Sequence, residues 1–235
     1  MDNYSLSIII PSYNGAASLA KNLPYLYNYL ATRFQLFELI IVNDGGNDSA
    51  ALSKIKKLYN CAIYDLERNY GKGAALRKGF SYAQYDYQVF TDADIPFTNE
   101  CIERIINSLR SGKDIAIGDR SLNNSFYNEK LPVLRKLGSN IISMLSYCFI
   151  EKEIKDTQCG LKGFSKEAAT QTMLQSTSNG FAIDFEILYL AKKKNLEIER
   201  VPVIKRNQDK STVRILNNGI KMLAEIFKVI LTTKN

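Results

Sequence analysis

The 235-residue sequence contains no histidine, and its four cysteines are far apart with no paired spacing. The missing histidine excludes Ser-His-Asp and Cys-His mechanisms and histidine-ligated metals. The isolated cysteines argue against a zinc site and against a disulfide framework, and they favour a reducing cytosol. Carboxylates, lysine, tyrosine, cysteine and bound cations remain to carry any chemistry.

Long hydrophobic runs are also missing. The longest uncharged, mostly apolar stretch covers residues 137–150 and falls short of the roughly 20 residues that a membrane-spanning helix needs. No basic stretch followed by an apolar run stands at the amino terminus, so we expect no signal peptide. The sequence shows no internal repeat, low-complexity tract or Pro/Gly linker. We therefore expect one cytoplasmic domain with no span across a bilayer.

The composition suits a folded domain that binds anions. Apolar residues make up 46% of the chain, enough for one sizeable core at this length. The 31 lysines and arginines exceed the 24 acidic residues and give a formal net charge of +7, which favours phosphates, nucleic acid or acidic lipid. The basic residues are not clustered with aromatic residues, so we expect no nucleic-acid partner.

Short β-rich runs alternate with helical patterns in the first half, as in a parallel sheet with crossover helices. The runs cover residues 5–10, 37–42, 61–66 and 87–91. Asn22 is expected to cap a helix that carries Pro24 in its first turn. Asp48 is expected to cap the second helix, and Gly71 to begin the third. In such sheets ligands bind at the carboxyl ends of the strands.

The regular alternation ends after Asp94. The pattern then predicts a helix over 99–109, a strand over 114–118, a polar loop over 121–129, a helix over 132–150 and a last helix from 214. We expect this second half to complete the same domain and to supply the acceptor side.

Two carboxylates, Asp92 and Asp94, stand one residue apart at the end of the fourth run. Strand alternation would send both side chains to one side, where two unpaired anions repel each other unless a cation lies between them. Mg²⁺ and Mn²⁺ prefer such oxygen ligands and share their remaining positions with a diphosphate. Most isolated Asp-x-Asp pairs are loops with helix-capping aspartates, so the metal prediction depends on the neighbouring motifs.

The first and second runs also end in polar motifs. Residues 11–15 read Pro-Ser-Tyr-Asn-Gly, and residues 42–48 read Val-Asn-Asp-Gly-Gly-Asn-Asp. Followed by the Asp-x-Asp pair, these motifs resemble family two glycosyltransferases of the GT-A fold. The resemblance implies an α/β protein in which helices flank a Rossmann-like mixed sheet.

The same resemblance implies a nucleotide-sugar site at these strand ends. Ser12 and Tyr13 would help hold the base and ribose, and Asp44 would hydrogen-bond the base. Asp92 and Asp94 would serve ribose and metal, with Mg²⁺ or Mn²⁺ as the cofactor. The donor-binding positions implied in full are Pro11, Ser12, Tyr13, Asn14, Asp44, Gly71, Lys72, Asp92, Ala93 and Ser211. Asn43 replaces the family's usual first Asp, which leaves the role of that carboxylate open.

A glycine-containing segment, residues 69–79, joins the third run to a helix. It does not match Gly-x-Gly-x-x-Gly, because its third glycine comes too late. It is not a P-loop either, because Gly73, and not Ser or Thr, follows Gly71-Lys72. By the family resemblance this segment lies under the donor. Exposed amides at the helix start, with Lys72, would suit phosphate or sugar oxygens. The alternative is a helix start with solvated lysines.

Motifs in the second half resemble polyprenyl-phosphate sugar transferases, in particular dolichyl-phosphate β-glucosyltransferases and related bacterial enzymes. These motifs cover residues 118–120, 134–136, 156–164 and 181–186. The resemblance implies that Arg120 and Arg135 contact the phosphates of donor and lipid acceptor, because the planar guanidinium suits phosphate oxygens. It also implies that Asp156 and Gln158 line the reaction centre, and with Asp94 these complete the predicted catalytic set.

Two positions depart from the family pattern. The family usually has Gly-Ser-Lys before the last helix, but residues 210–214 read Lys-Ser-Thr-Val-Arg. Ser211 is kept, and the lost lysine is either replaced by Lys210 or Arg214 or missing. Pro96, two residues after Asp94, has no side-chain ligand, so water or diphosphate would fill the third metal position.

The last predicted helix is two-faced. Its apolar stripe is Leu216, Ile220, Leu223, Phe227 and Ile230, and its cations Arg214, Lys221 and Lys228 lie well away from that stripe. Two interpretations stay open: a helix lying on an anionic membrane surface, and a helix packed on the core. Helix 132–150 offers a second apolar contact with a membrane. We therefore divide the chain into a GT-A domain, 1–213, with a nucleotide-sugar half, 1–94, and an acceptor half, 95–213, followed by an amphipathic tail, 214–235.

The function implied is inverting transfer of a hexose from a nucleotide sugar to a polyprenyl phosphate by a peripheral protein at the inner face of the cytoplasmic membrane. The favoured donor is a UDP-hexose, with GDP-mannose as the second choice. One alternative is a saccharide hydroxyl acceptor, for which Asp156 or Asp184 would substitute as the base. Another is a catalytically silent nucleotide-sugar-binding module. A sugar-phosphate nucleotidyltransferase is disfavoured, because its Gly-rich opening with Arg and Lys is absent after Ile10.

Overall fold

The computed structural model describes residues 2–126, 133–206 and 215–233. The strands are β1 (Asp2–Ser12), β2 (Phe34–Asn43), β3 (Ala62–Asp65), β4 (Tyr87–Thr91), β5 (Ile115–Asp119), β6 (Leu161–Ser165) and β7 (Ile198–Pro202). The helices are α1 (Ala16–Arg33), α2 (Ser49–Leu58), α3 (Lys72–Tyr82), α4 (Asn99–Arg110), α5 (Val133–Phe149), α6 (Lys166–Gln171), α7 (Ile183–Lys193) and α8 (Ile215–Thr232). The strands form one mixed sheet in the order β3-β2-β1-β4-β6-β5-β7.

Helices cover both faces of this sheet. Successive residues of β1 point to opposite faces, so Ile8 and Ile10 enter one buried cluster and Ile9 enters the other. The strands are therefore apolar on both sides, as expected when helices pack on both faces of a parallel sheet. β6 is the exception in direction, since it runs antiparallel to β4 and to β5.

The first helix begins earlier than the sequence predicts. α1 begins at Ala16, so Pro24 lies inside it, and Asn22 is a buried interior residue whose amide donates to the Ser18 carbonyl at 3.0 Å. The predicted cap at Asn22 is therefore wrong. Burial of the apolar face of α1 offsets the hydrogen bond that an interior proline removes. The buried leucines of that face are Leu19, Leu23, Leu26 and Leu30.

The start of α1 is fixed by a residue distant in sequence. The Ala16 amide donates to Oδ2 of Asp48 at 2.8 Å. Asp48 stands at the N-cap position of α2, as predicted, but its side chain does not make the expected capping bond to that helix. Its carboxylate instead joins the start of α1 to the loop after β2.

α8 and α5 pack on the same side of the sheet. Ile226, Val229 and Ile230 of α8 belong to the buried cluster that includes Ile142 and Leu145 of α5. α8, which the sequence analysis separates as a tail, thus contributes to this core. In the parts of the chain that the structure describes, no helix is both long and apolar enough to cross a membrane.

Candidate active site

The ends of β1, β2 and β4 meet at one edge of the sheet. β1 and β2 are parallel neighbours, with Ser12 beside Asn43 in their register. β4 lies on the other side of β1 and ends at Thr91. The strand order reverses direction at β1, and open α/β sheets bind ligands in the crevice at such a point. The three motifs singled out in the sequence therefore border one crevice.

Asp92 and Asp94 lie in the turn that follows β4. The Ile95 amide closes this turn on the Asp92 carbonyl at 2.9 Å, and Ile95 has a positive φ of 45°, an uncommon conformation for a β-branched residue. Strand alternation therefore does not set the directions of the two carboxylates, and that part of the sequence argument is wrong. The Asp92 side chain is 40% exposed, and Asp94 is half-buried.

Gly160 forms a cradle for the Asp92 carboxylate. Leu161 at the start of β6 pairs with Thr91 at the end of β4, which brings the preceding residue against Asp92. A Cβ at position 160 would lie 1.8 Å from Oδ2 of Asp92. Only glycine permits this placement of the carboxylate.

The carboxylates at this turn suit a hard divalent cation. Asp92 is held by the glycine cradle and remains partly open to solvent. Among the described residues, no group of three or more acidic, cysteine or histidine side chains is arranged to hold a metal. Within the described ranges, a cation held by this pair would therefore take its other positions from water and phosphate oxygens, as is usual for Mg²⁺ at phosphate sites.

A line of alternating charges runs inward from Asp92. Lys72 Nζ lies 3.2 Å from Oδ1 of Asp92 and 3.0 Å from Oδ2 of Asp184. Lys162 Nζ lies 2.5 Å from the other oxygen of Asp184 and donates to the Cys159 carbonyl at 2.7 Å. We call Lys162, Asp184, Lys72 and Asp92 the charge network. It joins α3, β6 and α7 to the turn after β4.

The charge network keeps Asp184 and Lys72 ionised. Burial opposes the charge of Asp184, but Lys162 and Lys72 outweigh it and hold the pKa of this carboxyl below its ordinary value. Burial also opposes the charge of Lys72, but Asp184 and Asp92 outweigh it and raise the pKa of Lys72 above its usual range. Asp184 is therefore a carboxylate engaged with two cations and a poor proton acceptor.

The motif after β1 forms the opposite wall of the crevice. Ser12 is buried, and its Oγ has no hydrogen-bond partner within the described structure. Tyr13 is 56% exposed. Asn14 has a positive φ of 51°, and its side-chain oxygen accepts the Asn47 amide at 2.8 Å. A Cβ at Gly15 would lie 3.3 Å from that of Ala93, so this loop borders the Asp92–Asp94 turn.

Asp44 and Asn43 hold the loop after β2. The carboxylate of Asp44 accepts the amides of Tyr70 and Gly71, each at 2.8 Å. Burial raises the pKa of Asp44 despite these two hydrogen bonds. Asn43 accepts the Gly46 amide at 2.9 Å and donates to Asp65 at 2.8 Å. Asn43 thus organises the loop at the position where the family usually has Asp.

The start of α3 differs from the sequence prediction. Gly71 begins the helix as predicted, with a positive φ of 108°. The Gly73 amide, however, donates to the Asn179 carbonyl at 2.7 Å, and the Gly71 amide donates to Asp44. The expectation of exposed amides at this helix start is wrong, because the loop before α7 caps it. Lys72 is only 11% exposed and is paired, so it is not a solvated lysine.

Arg120 and Asp156 form a two-bond ion pair next to this crevice. Nε and an Nη of Arg120 donate to the carboxylate at 2.7 and 2.6 Å, and the Arg120 amide donates at 3.0 Å. Burial disfavours the charge of Asp156, but Arg120 outweighs it, so the pKa of Asp156 lies below its ordinary value. Gln158 is half-buried, and its amide donates to Thr157 at 3.3 Å. Asp156 and Gln158 thus lie on the segment that leads to Gly160, and Arg120 joins that segment from the end of β5.

Two predicted site residues, Arg135 and Ser211, are described only in part or not at all. Arg135 belongs to α5, but the structure does not describe its side chain. Ser211, with Lys210 and Arg214, lies outside the described residues. Their assigned contacts with phosphate stay predictions.

Three residues that shape the site, Gly160, Lys162 and Asp184, have no such role in the sequence prediction. Gly160 and Lys162 lie inside a motif that was recognised, but only the antiparallel pairing of β6 with β4 shows what each contacts. Asp184 was considered solely as a substitute base, and its two lysine partners are distant in sequence. A buried lysine is the signal that would have indicated a network, since buried cations require an anionic partner.

Comparisons with known proteins show which proteins this chain resembles. The chain is 29% identical over 245 residues to the dolichyl-phosphate beta-glucosyltransferase of Saccharomyces cerevisiae, a match that covers 94% of this chain and 72% of that protein. It is 31% identical over 247 residues to the protein of the same name from Dictyostelium discoideum, covering 97% and 75%.

A structural neighbour is glucosyl-3-phosphoglycerate synthase from Mycobacterium tuberculosis, whose crystal structure contains Mn²⁺, UDP and phosphoglyceric acid. Its TM-score is 0.72 at 16% identity, and the match covers 98% of this chain and 78% of that one. The predicted GT-A fold is confirmed. Residues 7–172 match the family described as glycosyl transferase family 2. The chain belongs to this glycosyltransferase family.

Proposed function

We propose that this glycosyltransferase moves a hexose from a nucleotide sugar, with UDP-hexose favoured, to the phosphate of a polyprenyl phosphate. The observation that carries the choice of acceptor is the state of the two candidate bases. Asp156 is engaged by Arg120, and Asp184 is engaged by two lysines. The names of the relatives from yeast and Dictyostelium support the same acceptor class.

The acceptor argument rests on proton chemistry. A sugar hydroxyl normally needs a carboxylate to take its proton, and an efficient base has a pKa near the working pH. Asp156 and Asp184 have lowered pKa values, which makes both of them weak bases. A phosphate monoester is already anionic near neutral pH and needs no such base.

The proposed reaction is a single displacement with inversion. An acceptor phosphate oxygen attacks the anomeric carbon as the bond from that carbon to the donor diphosphate breaks, and the electron pair leaves with the nucleoside diphosphate. Asp92 and Asp94 would hold Mg²⁺ or Mn²⁺, which supplies positive charge to the diphosphate. Ser12 and Tyr13 would help hold the base and ribose, and Asp44 would hydrogen-bond the base. Arg120 and Arg135 would orient phosphate oxygens on the acceptor side.

A peripheral membrane location fits the exposed apolar side chains of α5 and α8. Five of them form what we call the α5–α8 surface: Ile141, Met144, Tyr147, Phe227 and Leu231. Lys221 and Lys228 of α8 are also exposed, and cations beside apolar groups favour an anionic lipid surface. α8 thus divides its apolar residues between the core and this surface.

The function is tested by transfer of radiolabelled sugar from UDP- and GDP-hexoses to polyprenyl phosphate, with Mg²⁺ or Mn²⁺ and with chelator. We expect lipid-linked product, β-configured from an α-linked donor, and no transfer with chelator or with Asp94→Ala. Transfer only to free saccharides would refute the lipid-phosphate acceptor. Unchanged transfer in the presence of chelator would refute the metal site.

Membrane association is tested separately by sedimentation with phosphatidylglycerol vesicles. Met144→Asp and Phe227→Asp should weaken binding to the vesicles. Leu58→Asp changes an even more exposed apolar residue, on α2, and serves as the control. Equal effects of all three substitutions would contradict the α5–α8 surface.

A further inference from the structure

The charge network connects the crevice to a helix far along the chain. Asp184 lies in the first turn of α7, beyond residues 7–172 of the family match. Its carboxylate lies between two ammonium groups and brings one of them, that of Lys72, to Asp92. The ring of Phe90 lies beneath both ammonium groups, with centroid distances of 5.4 Å to Lys72 and 5.2 Å to Lys162.

Solvent screens the inner part of this network poorly. The side chains of Lys162 and Asp184 are 0% and 2% exposed. Asp92, at the outer end, is 40% exposed. A change of charge at the buried end therefore acts on Lys72, which is 11% exposed, with little attenuation by water, and reaches Asp92 through the contact between Lys72 and Asp92.

We propose that Asp184 and Lys162 are positioning residues which, through Lys72, set how strongly Asp92 and Asp94 hold a divalent cation. This inference rests on the proposed metal site. Lys72 neutralises part of the charge of Asp92 and so competes with a bound cation. Asp184 draws Lys72 inward and limits this competition, and Lys162 balances Asp184.

The proposal predicts effects of opposite sign. Asp184→Asn removes the anion that restrains Lys72, so more positive charge bears on Asp92 and the Kd for Mn²⁺ should rise on the order of tenfold. Lys162→Met leaves Asp184 to draw Lys72 more strongly, so the Kd should fall by a similar factor. The double substitution leaves the buried charge unchanged and should return the Kd to near the wild-type value. If Asp184 and Lys162 had a purely structural role, these variants would change in thermal stability, but their Kd values for Mn²⁺ would not shift in opposite directions.

The measurement is titration with Mn²⁺ alone, without nucleotide, in which electron paramagnetic resonance reports the free ion. Thermal unfolding shows that each variant is folded. Glu186→Gln is the matched control, because Glu186 is a buried carboxylate on the same helix whose oxygens accept the amides of Thr177 and Ser178. We expect it to change the Kd by less than about threefold, as its charge is not part of the network.

Lys72→Gln provides a variant that leaves Asp184 paired with Lys162, and it should tighten Mn²⁺ binding. Shifts of the same sign in Asp184→Asn and Lys162→Met, or no shift in either, would overturn the inference. If Asp184→Asn and Lys162→Met do not fold, unchanged or weaker Mn²⁺ binding by Lys72→Gln would also overturn the inference. Failure of the wild-type protein to bind Mn²⁺ would instead count against the proposed metal site itself.

Discussion

Replacing Gly160 by alanine tests whether the cradle positions Asp92. The added Cβ would lie 1.8 Å from Oδ2 and 2.5 Å from Cγ of Asp92, well inside contact distance. Asp92 is 40% exposed, so its side chain has room to rotate outward, and most of the fold stays undisturbed. The rotation would break the 3.2 Å contact with Lys72 and move the carboxylate by more than about 1 Å.

A displacement of about 1 Å at a reacting centre costs on the order of 100-fold in rate. We therefore expect kcat/KM for sugar transfer to fall about 100-fold, or ~2.7 kcal/mol of transition-state stabilisation. The cost in folding free energy should stay within about 1–3 kcal/mol, the usual range for an inserted methyl group. Steady-state transfer kinetics and thermal unfolding measure the two quantities.

A double-mutant cycle shows whether the effect passes through Asp92. In an Asp92→Ala background the clashing atoms are gone, so Gly160→Ala should reduce activity no further. Gly219→Ala is the control, because a Cβ there would meet nothing within 4 Å, and alanine favours the helix. Full additivity in the cycle, or a Gly160→Ala protein with activity within about threefold of wild type, would refute the cradle.

Three further predictions concern Arg120, Asp156 and the cysteines. Arg120→Lys keeps the charge but loses the two-bond geometry with Asp156, so kcat should fall at least about tenfold in transfer assays; a wild-type kcat would contradict this. Because the pKa of Asp156 is lowered, its contribution to stability should be complete above about pH 4 and lost as the pH falls through the lowered value. Urea unfolding of wild type and Asp156→Asn should therefore show a difference in the free energy of unfolding that is constant from about pH 5 to 7 and shrinks in acid. Iodoacetamide at about pH 8 should modify the exposed Cys148 well before Cys159, which is buried and whose pKa is raised to about 12; mass spectrometry would show the order.

Local sequence patterns predicted β1 to β5 and the sheet edge at which three of the motifs meet, but not β6 or β7. The runs that end near Ser12, Asn43 and Thr91 became β1, β2 and β4, because apolar runs between turn residues read directly as buried strands in a parallel sheet. The site followed from them, since parallel neighbours end at the same edge. This part of the fold depends on signals within a few residues of each strand.

The parts that were missed depend on contacts between distant residues. The start of α1 is set by Asp48, 32 positions away, and no capping pattern near Ala16 shows it. The exposed amides expected at α3 are covered by Asn179, on a loop about a hundred residues later. A sequence pattern gives the types of groups available, but it does not show which of them meet.

Contacts between distant residues also decide the chemistry of the carboxylates. From sequence, Asp92 is a candidate for ribose and metal, Asp156 for the reaction centre or the base, and Asp184 for the base alone. The fold separates them by partner: Arg120 holds Asp156 in a two-bond pair, two lysines flank Asp184, and Asp92 keeps one side open to solvent. The electrostatic environment of the two aspartates in the turn after β4 depends on the buried lysines next to them. The proposed acceptor, which arrives already ionised, suits such a site because the carboxylates of Asp156 and Asp184 are paired with cations.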